Sequence, residues 1–333
     1  MFGSLTGPDL IIASSVCYKT YDYYFDNSKD LWISAVIMVI TGIIGLLGNI
    51  FIIAVLSQPK MRKSVFYNLL LALACFDTLF ILSYGISQGD KSFTCRGLHS
   101  KVDTLLLPVY ELFMLGSIYM TVAISVERYL GVCHPLLQFP RRPLIFILPV
   151  LIISFAYTLP RFILHGNYSV ENDLLYNYFS YDDWGKTEEY YIWGYTFWAD
   201  LIFKTFIPLV ALIFLNGSII AAIKGTINPQ RLKDGREGKT ITILFCIVLV
   251  FIIAQAFRVA SKILIFTTID LNSTLTWVLP ISWLALTFNS SVNFVIYSMV
   301  GSNFRAELVQ MFRLNRNSGG SEIVLSLEDC SNP

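Results

Sequence analysis

The sequence predicts an all-α integral membrane protein, a seven-transmembrane helix bundle with a short amphipathic helix after the seventh span. Three observations predict it. Of 333 residues, 55% are hydrophobic and 14% charged, where soluble domains carry about 25% charged residues, and mean hydropathy is +0.62. Seven stretches reach or approach the roughly 20 apolar residues that a helix needs to cross a bilayer. Lysine and arginine accumulate in alternate short connections, as the positive-inside rule requires of a multi-pass chain.

The spans fall at about 31–56, 65–88, 103–133, 144–164, 190–224, 238–268 and 275–299. The third, fifth and sixth are long enough to project beyond the hydrocarbon. Pro108, Pro160, Pro208 and Pro280 are expected to kink or end their segments, because proline lacks the donor and crowds the preceding turn. Lys60, Arg62 and Lys63 follow the first span, Arg141 and Arg142 the third, and Arg231, Lys233, Arg236 and Lys239 the fifth. Those connections are therefore cytoplasmic, and the N-terminus lies outside. The long fourth loop, with Glu171, Asp173, Asp182, Asp183, Glu188 and Glu189, is outside too. So are the sequons at Asn167 and Asn272, candidate glycosylation sites; two others, at Asn216 and Asn289, lie within spans.

Phe304, Leu308 and Phe312 recur every four residues from Gly301 to about Arg313, with Arg305 and Arg313 beside them. This segment is expected to lie along the inner membrane surface. The organisation is then an extracellular N-terminus (1–30), one bundle with its surface helix (31–313) and a polar, disordered cytoplasmic tail (314–333). No signal peptide is evident, so the first span is expected to direct insertion.

Composition also narrows function. A net charge of +1 argues against a nucleic-acid partner. The six cysteines are too scattered for a disulfide scaffold or a CxxC metal site. No nucleophile, metal cluster or phosphate loop points to an enzyme, and no paired repeats with broken half-helices point to a transporter.

Polar groups inside a membrane are expensive, so each is a candidate for function. They are Asn49, Asp77, Ser117, Glu127-Arg128-Tyr129, Asn289, Asn293 and Tyr297. Taken one at a time, each has a plain reading as a satisfied structural group. With Gly48-Asn49, Leu71 to Asp77, Pro208, Asn293 to Tyr297 and Phe304 in order, the chain resembles the rhodopsin-like class of G protein-coupled receptors. Within that class it is similar to FMRFamide-type neuropeptide receptors of invertebrates. The residues carrying this are Ser117 to Ala123, Cys133-His134-Pro135, Leu159-Pro160-Arg161-Phe162 at the end of the fourth span, and Asn289 to Phe294.

The resemblance implies a receptor whose partners are an extracellular peptide, a heterotrimeric G protein and the bilayer, located in the plasma membrane. It implies that Arg128 pairs with Glu127 and with Glu237 in the resting state, and that release opens an inner cavity. The plain alternative is a helix-end ion pair. It further implies that Ile118, Pro208 and Phe251 repack on activation, although ordinary core packing describes them equally. Asp77, Ser117, Asn289 and Asn293 match positions that hold an allosteric sodium ion, and all supply oxygen.

The sequence departs from the class pattern in places. Gln255 replaces the usual Trp of the sixth span and Phe257 its kink-forming Pro, while Asn216 and Phe294 replace a Tyr and a Pro elsewhere. Asp103 stands where the third span usually carries a bridging cysteine. Cys17 and Cys95 are the cysteines on the outer side, and they either bond each other or remain thiols.

Thr287 excludes a retinal lysine, and Tyr110 replaces the amine-anchoring acid. The acidic loop, with Glu111 and Asp200 nearer the pocket, suits a cationic peptide such as one ending in Arg-Phe-amide; the alternative is a solvated acidic face. Tyr168, Tyr176, Trp184 and Trp193 in the loop favour peptide binding. Lys204 and Arg258 either receive a ligand carboxylate or pair with Asp200. The expected ligand-binding set is Tyr110, Glu111, Asp200, Gln255 and Arg258. A chemosensory receptor for small molecules is the alternative function.

Overall fold

The computed structural model describes residues 28–93, 101–134, 142–170, 198–225, 236–267, 281, 284–311 and 313. Side chains at 28–35, 88–93, 101–104, 163–170, 236–237, 262 and 265–267 lie outside the description. So do Cys17, Cys95, Asn272 and Pro280, and the residues 314–333 assigned to the tail. The described chain is helical: α1 Ser28–Leu56, α2 Val65–Phe93, α3 Lys101–Cys133 and α4 Pro143–Val170. It continues as α5 (198–225), α6 Arg236–Thr267, α7 Leu284–Val300 and α8 Ser302–Met311.

Six of these helices are long and apolar enough to cross a membrane on their own, and α7 qualifies together with α8, from which it is bent by 94°. α3 runs through the middle, packing against α2, α4, α5 and α6, while α7 touches α1 and α6 and closes the ring. In the apolar window of α3, 56% of residues are buried, against 22% in α1 and α4. That difference marks α3 as the axis and α1 and α4 as helices with a broad lipid face. Exposed Val39, Ile43 and Ile44 on α1 and Phe206 and Phe214 on α5 are what a lipid boundary requires.

Without a hydrophobic drive between helices in lipid, small residues decide where backbones approach. On α1, a Cβ added at Gly48 would stand 2.9 Å from the Phe294 Cβ, and one at Gly45 would run into the Ser291 side chain. The Asn49 amide crosses the same seam, donating to the Ser290 carbonyl at 3.0 Å. Gly116 makes the corresponding room on α3, where the Phe76 ring of α2 lies.

Some expected helix limits are corrected. Pro108 and Pro160 sit inside helices and end neither. α4 runs past Pro160 to Val170, so Leu159-Pro160-Arg161-Phe162 does not end it and Asn167 is in its last turns. Lost backbone bonds at these prolines are tolerable where neighbouring helices hold the segment. α6 is one unbroken helix through Gln255 and Phe257, as a ladder without proline should be. Although Phe294 stands in place of a helix 7 proline, α7 is interrupted by a turn at Val292. The turn is bridged by the Val292 amide donating to the Phe288 carbonyl at 3.0 Å and the Ile296 amide donating to the Val292 carbonyl at 3.1 Å.

α5 contains a π-helical turn, Ile202–Phe206, closed by the Ile207 amide donating to the Ile202 carbonyl. The turn precedes Pro208, which has no amide to offer the Lys204 carbonyl. One extra residue in a turn rotates everything before it relative to the helix that follows. Lys204 and Thr205 are both buried within it.

α8 forms where the sequence predicted a surface helix. Phe304 is buried against Phe294 and Tyr297, ring centroids 6.1 and 5.8 Å away. Arg305 donates to the carbonyls of Met299 (2.5 Å) and Ser298 (3.2 Å), satisfying acceptors that the end of α7 leaves open. Lys60 reaches Glu307 at 3.2 Å, tying the connection after α1 to α8.

Candidate functional site

Five ionisable side chains converge in the half of the bundle nearer the N-terminal end of α3: Glu111 of α3, Arg161 of α4, Asp200 and Lys204 of α5, and Arg258 of α6. Each is under a tenth exposed. Arg161 lies 2.5 Å from one Glu111 carboxylate oxygen, and Lys204 pairs with the other. Asp200 Oδ1 receives Lys204 at 2.7 Å, the Tyr157 hydroxyl at 2.7 Å and Arg161 at 3.4 Å. Its Oδ2 faces Arg258 at 3.6 Å. Charges this deep are tolerable only when paired. Helical spacing sets two partners on one face, since Asp200 and Lys204 are four apart.

Gln255 lies beside this cluster and accepts a hydrogen bond from Thr205 at 3.2 Å. Tyr110 is buried edge-on against Tyr84, centroids 5.4 Å apart, and Tyr84 stacks on Phe80. This half of the bundle thus has a charged side toward α4, α5 and α6 and an aromatic side toward α2.

A second polar centre lies at mid-membrane. Asp77 is fully buried; the Ser117 hydroxyl donates to its Oδ1 at 2.6 Å and the Asn293 amide to its Oδ2 at 2.7 Å. Ser290 also reaches this carboxylate. Asn289, expected here, is half-buried and is not among the partners of Asp77 in the described residues; the neighbouring Ser290 takes that place. Ile118, Pro208 and Phe251 are all buried.

Near the C-terminal end of α3, Arg128 makes a two-pronged pair with Glu127, one prong at 2.6 Å, and its guanidinium lies 4.7 Å from the centroid of the Phe66 ring. Tyr129 contacts His134 through its hydroxyl at 3.0 Å. The Glu237 side chain lies outside the described residues, so Glu127 and Phe66 are the partners the structure assigns. Tyr297 is buried with its hydroxyl unpartnered.

Residues 48–297 match the 7 transmembrane receptor (rhodopsin family), and the three centres above fall inside that span. The chain belongs to this family. Over 91% of its length it is 32% identical to the FMRFamide receptor of Drosophila melanogaster, covering 58% of that protein. It is 26% identical to the FMRFamide peptide receptor frpr-18 of Caenorhabditis elegans, over 85% of the chain and 69% of that receptor. The B1 bradykinin receptor of Chlorocebus pygerythrus is likewise 26% identical, over 81% of the chain and 79% of that protein.

In this receptor the sequence reading missed one central residue. Arg161 was taken as part of a motif at a helix end, yet it bridges both buried acids. An arginine inside an apolar span was the available signal, since such a residue has to find partners. The reading of Glu111 and Asp200 as acids open to a cationic ligand is also changed. Every one of their four oxygens already faces a base of the receptor.

Proposed function

We propose that this multi-pass membrane receptor binds a small, amidated, RFamide-like neuropeptide at its outer face and activates a heterotrimeric G protein at its inner face. The observation that carries this reading is its 32% identity, over 91% of the chain, with a receptor named for FMRFamide. Because the chain spans 58% of that relative's length, ligand and partner are proposals for this chain in their own right.

The receptor is proposed to sit in the plasma membrane with its N-terminus outside. The pocket floor comprises Tyr110, Glu111, Asp200, Gln255 and Arg258, joined by Arg161 and Lys204. Peptide binding shifts a pre-existing equilibrium toward an inner-open state, by no more than the ligand's differential affinity for the two states. At the inner end, Arg128 leaves Glu127 and Phe66, and Glu237 is its proposed second resting partner. Ile118, Pro208 and Phe251 repack between the two ends, and Asn293 and Tyr297 move with α7. Asn167 and Asn272 are proposed glycan sites and Cys17 with Cys95 a proposed disulfide.

Asp77, Ser117, Ser290 and Asn293 are proposed to hold an allosteric sodium ion, with Asn289 contributing from the adjacent position. The oxygen-only donors around one carboxylate fit a hard cation, which would stabilise the resting packing of α2, α3 and α7.

The test is a second-messenger assay in cells displaying the receptor, with amidated invertebrate neuropeptides beside an odorant panel. The expected result is activation by Arg-Phe-amide peptides at nanomolar doses. Silence toward every peptide at normal surface display, with a response to odorants, would overturn it.

A further inference from the structure

The charged cluster is not evenly matched. Among the described residues three bases, Arg161, Lys204 and Arg258, face two acids, Glu111 and Asp200, and Arg161 and Asp200 have partners beyond these. Both acids are engaged, Glu111 by Arg161 and Lys204 and Asp200 by Tyr157, Lys204 and Arg161, while Arg258 faces Asp200 Oδ2 as an ion pair at 3.6 Å. Unused hydrogen-bonding capacity lies on the donor side. Among the described residues, Arg258 Nη1 and Gln255 Nε2 are both buried without a partner, on side chains that are 6% and 1% exposed.

These two residues are three apart on α6 and therefore share a face. Their other ends point the same way, Arg258 Nη2 toward Asp200 and Gln255 Oε1 toward Thr205, both on α5. Leaving a buried amide or guanidinium donor unmade is costly. A site holding two such donors is complementary to an acceptor rather than to a cation.

We propose that Arg258 and Gln255 form a subsite for a carbonyl-type oxygen of the ligand, a carboxamide or a carboxylate, and that a guanidinium is excluded from it. The proposal depends on the neuropeptide reading only for what carries that oxygen. There, the terminal amide of the peptide docks on α6, and its arginine is recognised elsewhere than at Glu111 and Asp200.

The test uses the full-length receptor in detergent, followed by thermal unfolding at fixed ionic strength. Three probes are compared: N-acetylphenylalanine amide, N-acetylphenylalanine and agmatine, whose guanidinium is the control. One or both acceptor probes stabilise the receptor and agmatine does not; the stronger of the two identifies the group as carboxamide or carboxylate. Apparent affinity for that probe falls about tenfold in Arg258→Met and in Gln255→Leu, the loss expected for one hydrogen bond of this kind. Gln255→Leu removes an unpartnered donor and the acceptor of the Thr205 hydroxyl but no ion pair, so it serves even where the Arg258 variant fails to fold. Stabilisation by agmatine alone, by none of the probes, or by acceptors equally well in wild type and Gln255→Leu overturns the subsite. Acceptor binding without any peptide response would instead overturn the neuropeptide reading and leave the subsite standing.

Discussion

Lys204 of α5 and Glu111 of α3 form an ion pair buried in the half of the bundle nearer the N-terminal end of α3. The lysine is fully buried and the acid nearly so, and the π turn that precedes Pro208 carries the lysine. Removing one partner of a buried pair leaves an uncompensated charge, which costs about 3–5 kcal/mol, whereas removing both can be close to neutral. Glu111→Gln and Lys204→Met are each expected to lower the thermal midpoint and surface expression. The double variant is expected to recover most of the loss. A double variant whose loss equals the sum of the two single losses would show that the two side chains are not energetically coupled.

Arg128 is held by its own neighbour, Glu127, and by the face of Phe66. Glu127→Gln removes the charged half of that restraint, so basal second-messenger output is expected to rise several-fold at matched surface display. Phe66→Leu removes the ring, whose attraction for a cation is about 0.5–2 kcal/mol, and a smaller rise is expected. Arg128→Ala should be silent while binding peptide normally. Unchanged basal output in Glu127→Gln would mean that this pair does not hold the resting state.

The spans were legible because an apolar run of bilayer length has few other uses, and most observed limits lie within a few residues of those read from the sequence. Asp77 and Ser117 were legible as a pair for the opposite reason, since a carboxyl group in an apolar run must be satisfied from another helix. Asn289 and Ser290 were not separable, because both are polar and adjacent, and half a turn decides which faces Asp77. The π turn in α5 has no periodicity of its own to read; what it leaves is a buried Lys204, visible only once the register is known. Arg161 was legible in principle and was missed because Pro160 was read as the end of a helix that in fact runs on to Val170.

The α1 to α7 seam makes a sharp prediction about glycine. Gly48→Ala puts a methyl group 2.9 Å from the Phe294 Cβ, an atom that no rotamer change can move, and overpacking of this kind costs about 1–3 kcal/mol. Phe294→Ala retains that Cβ and so should not rescue it. Gly217 meets nothing within 4 Å, and Gly217→Ala is expected to be neutral or to stabilise by up to about 1 kcal/mol through helix propensity. Thermal midpoints of the three variants decide it. Equal behaviour of Gly48→Ala and Gly217→Ala would mean that the seam is looser than its geometry.

At mid-membrane, Asp77 receives hydrogen bonds from α3 and α7 at once, through Ser117 and Asn293. If sodium shares that carboxylate, replacing sodium by choline at constant ionic strength should lower the thermal midpoint of the unliganded receptor. Asp77→Asn keeps the size of the side chain but removes the charge, and its amide can still meet Ser117 as an acceptor. The variant should therefore fold and lose the dependence on sodium. Ser117→Ala removes one oxygen donor and should weaken the dependence without abolishing it. Asn289→Ala, whose side chain lies off the Asp77 network, should change it least of the set. A sodium effect that persists undiminished in Asp77→Asn would place the ion elsewhere, and the three hydrogen-bonding partners of Asp77 would then be read as a structural tie between α2, α3 and α7.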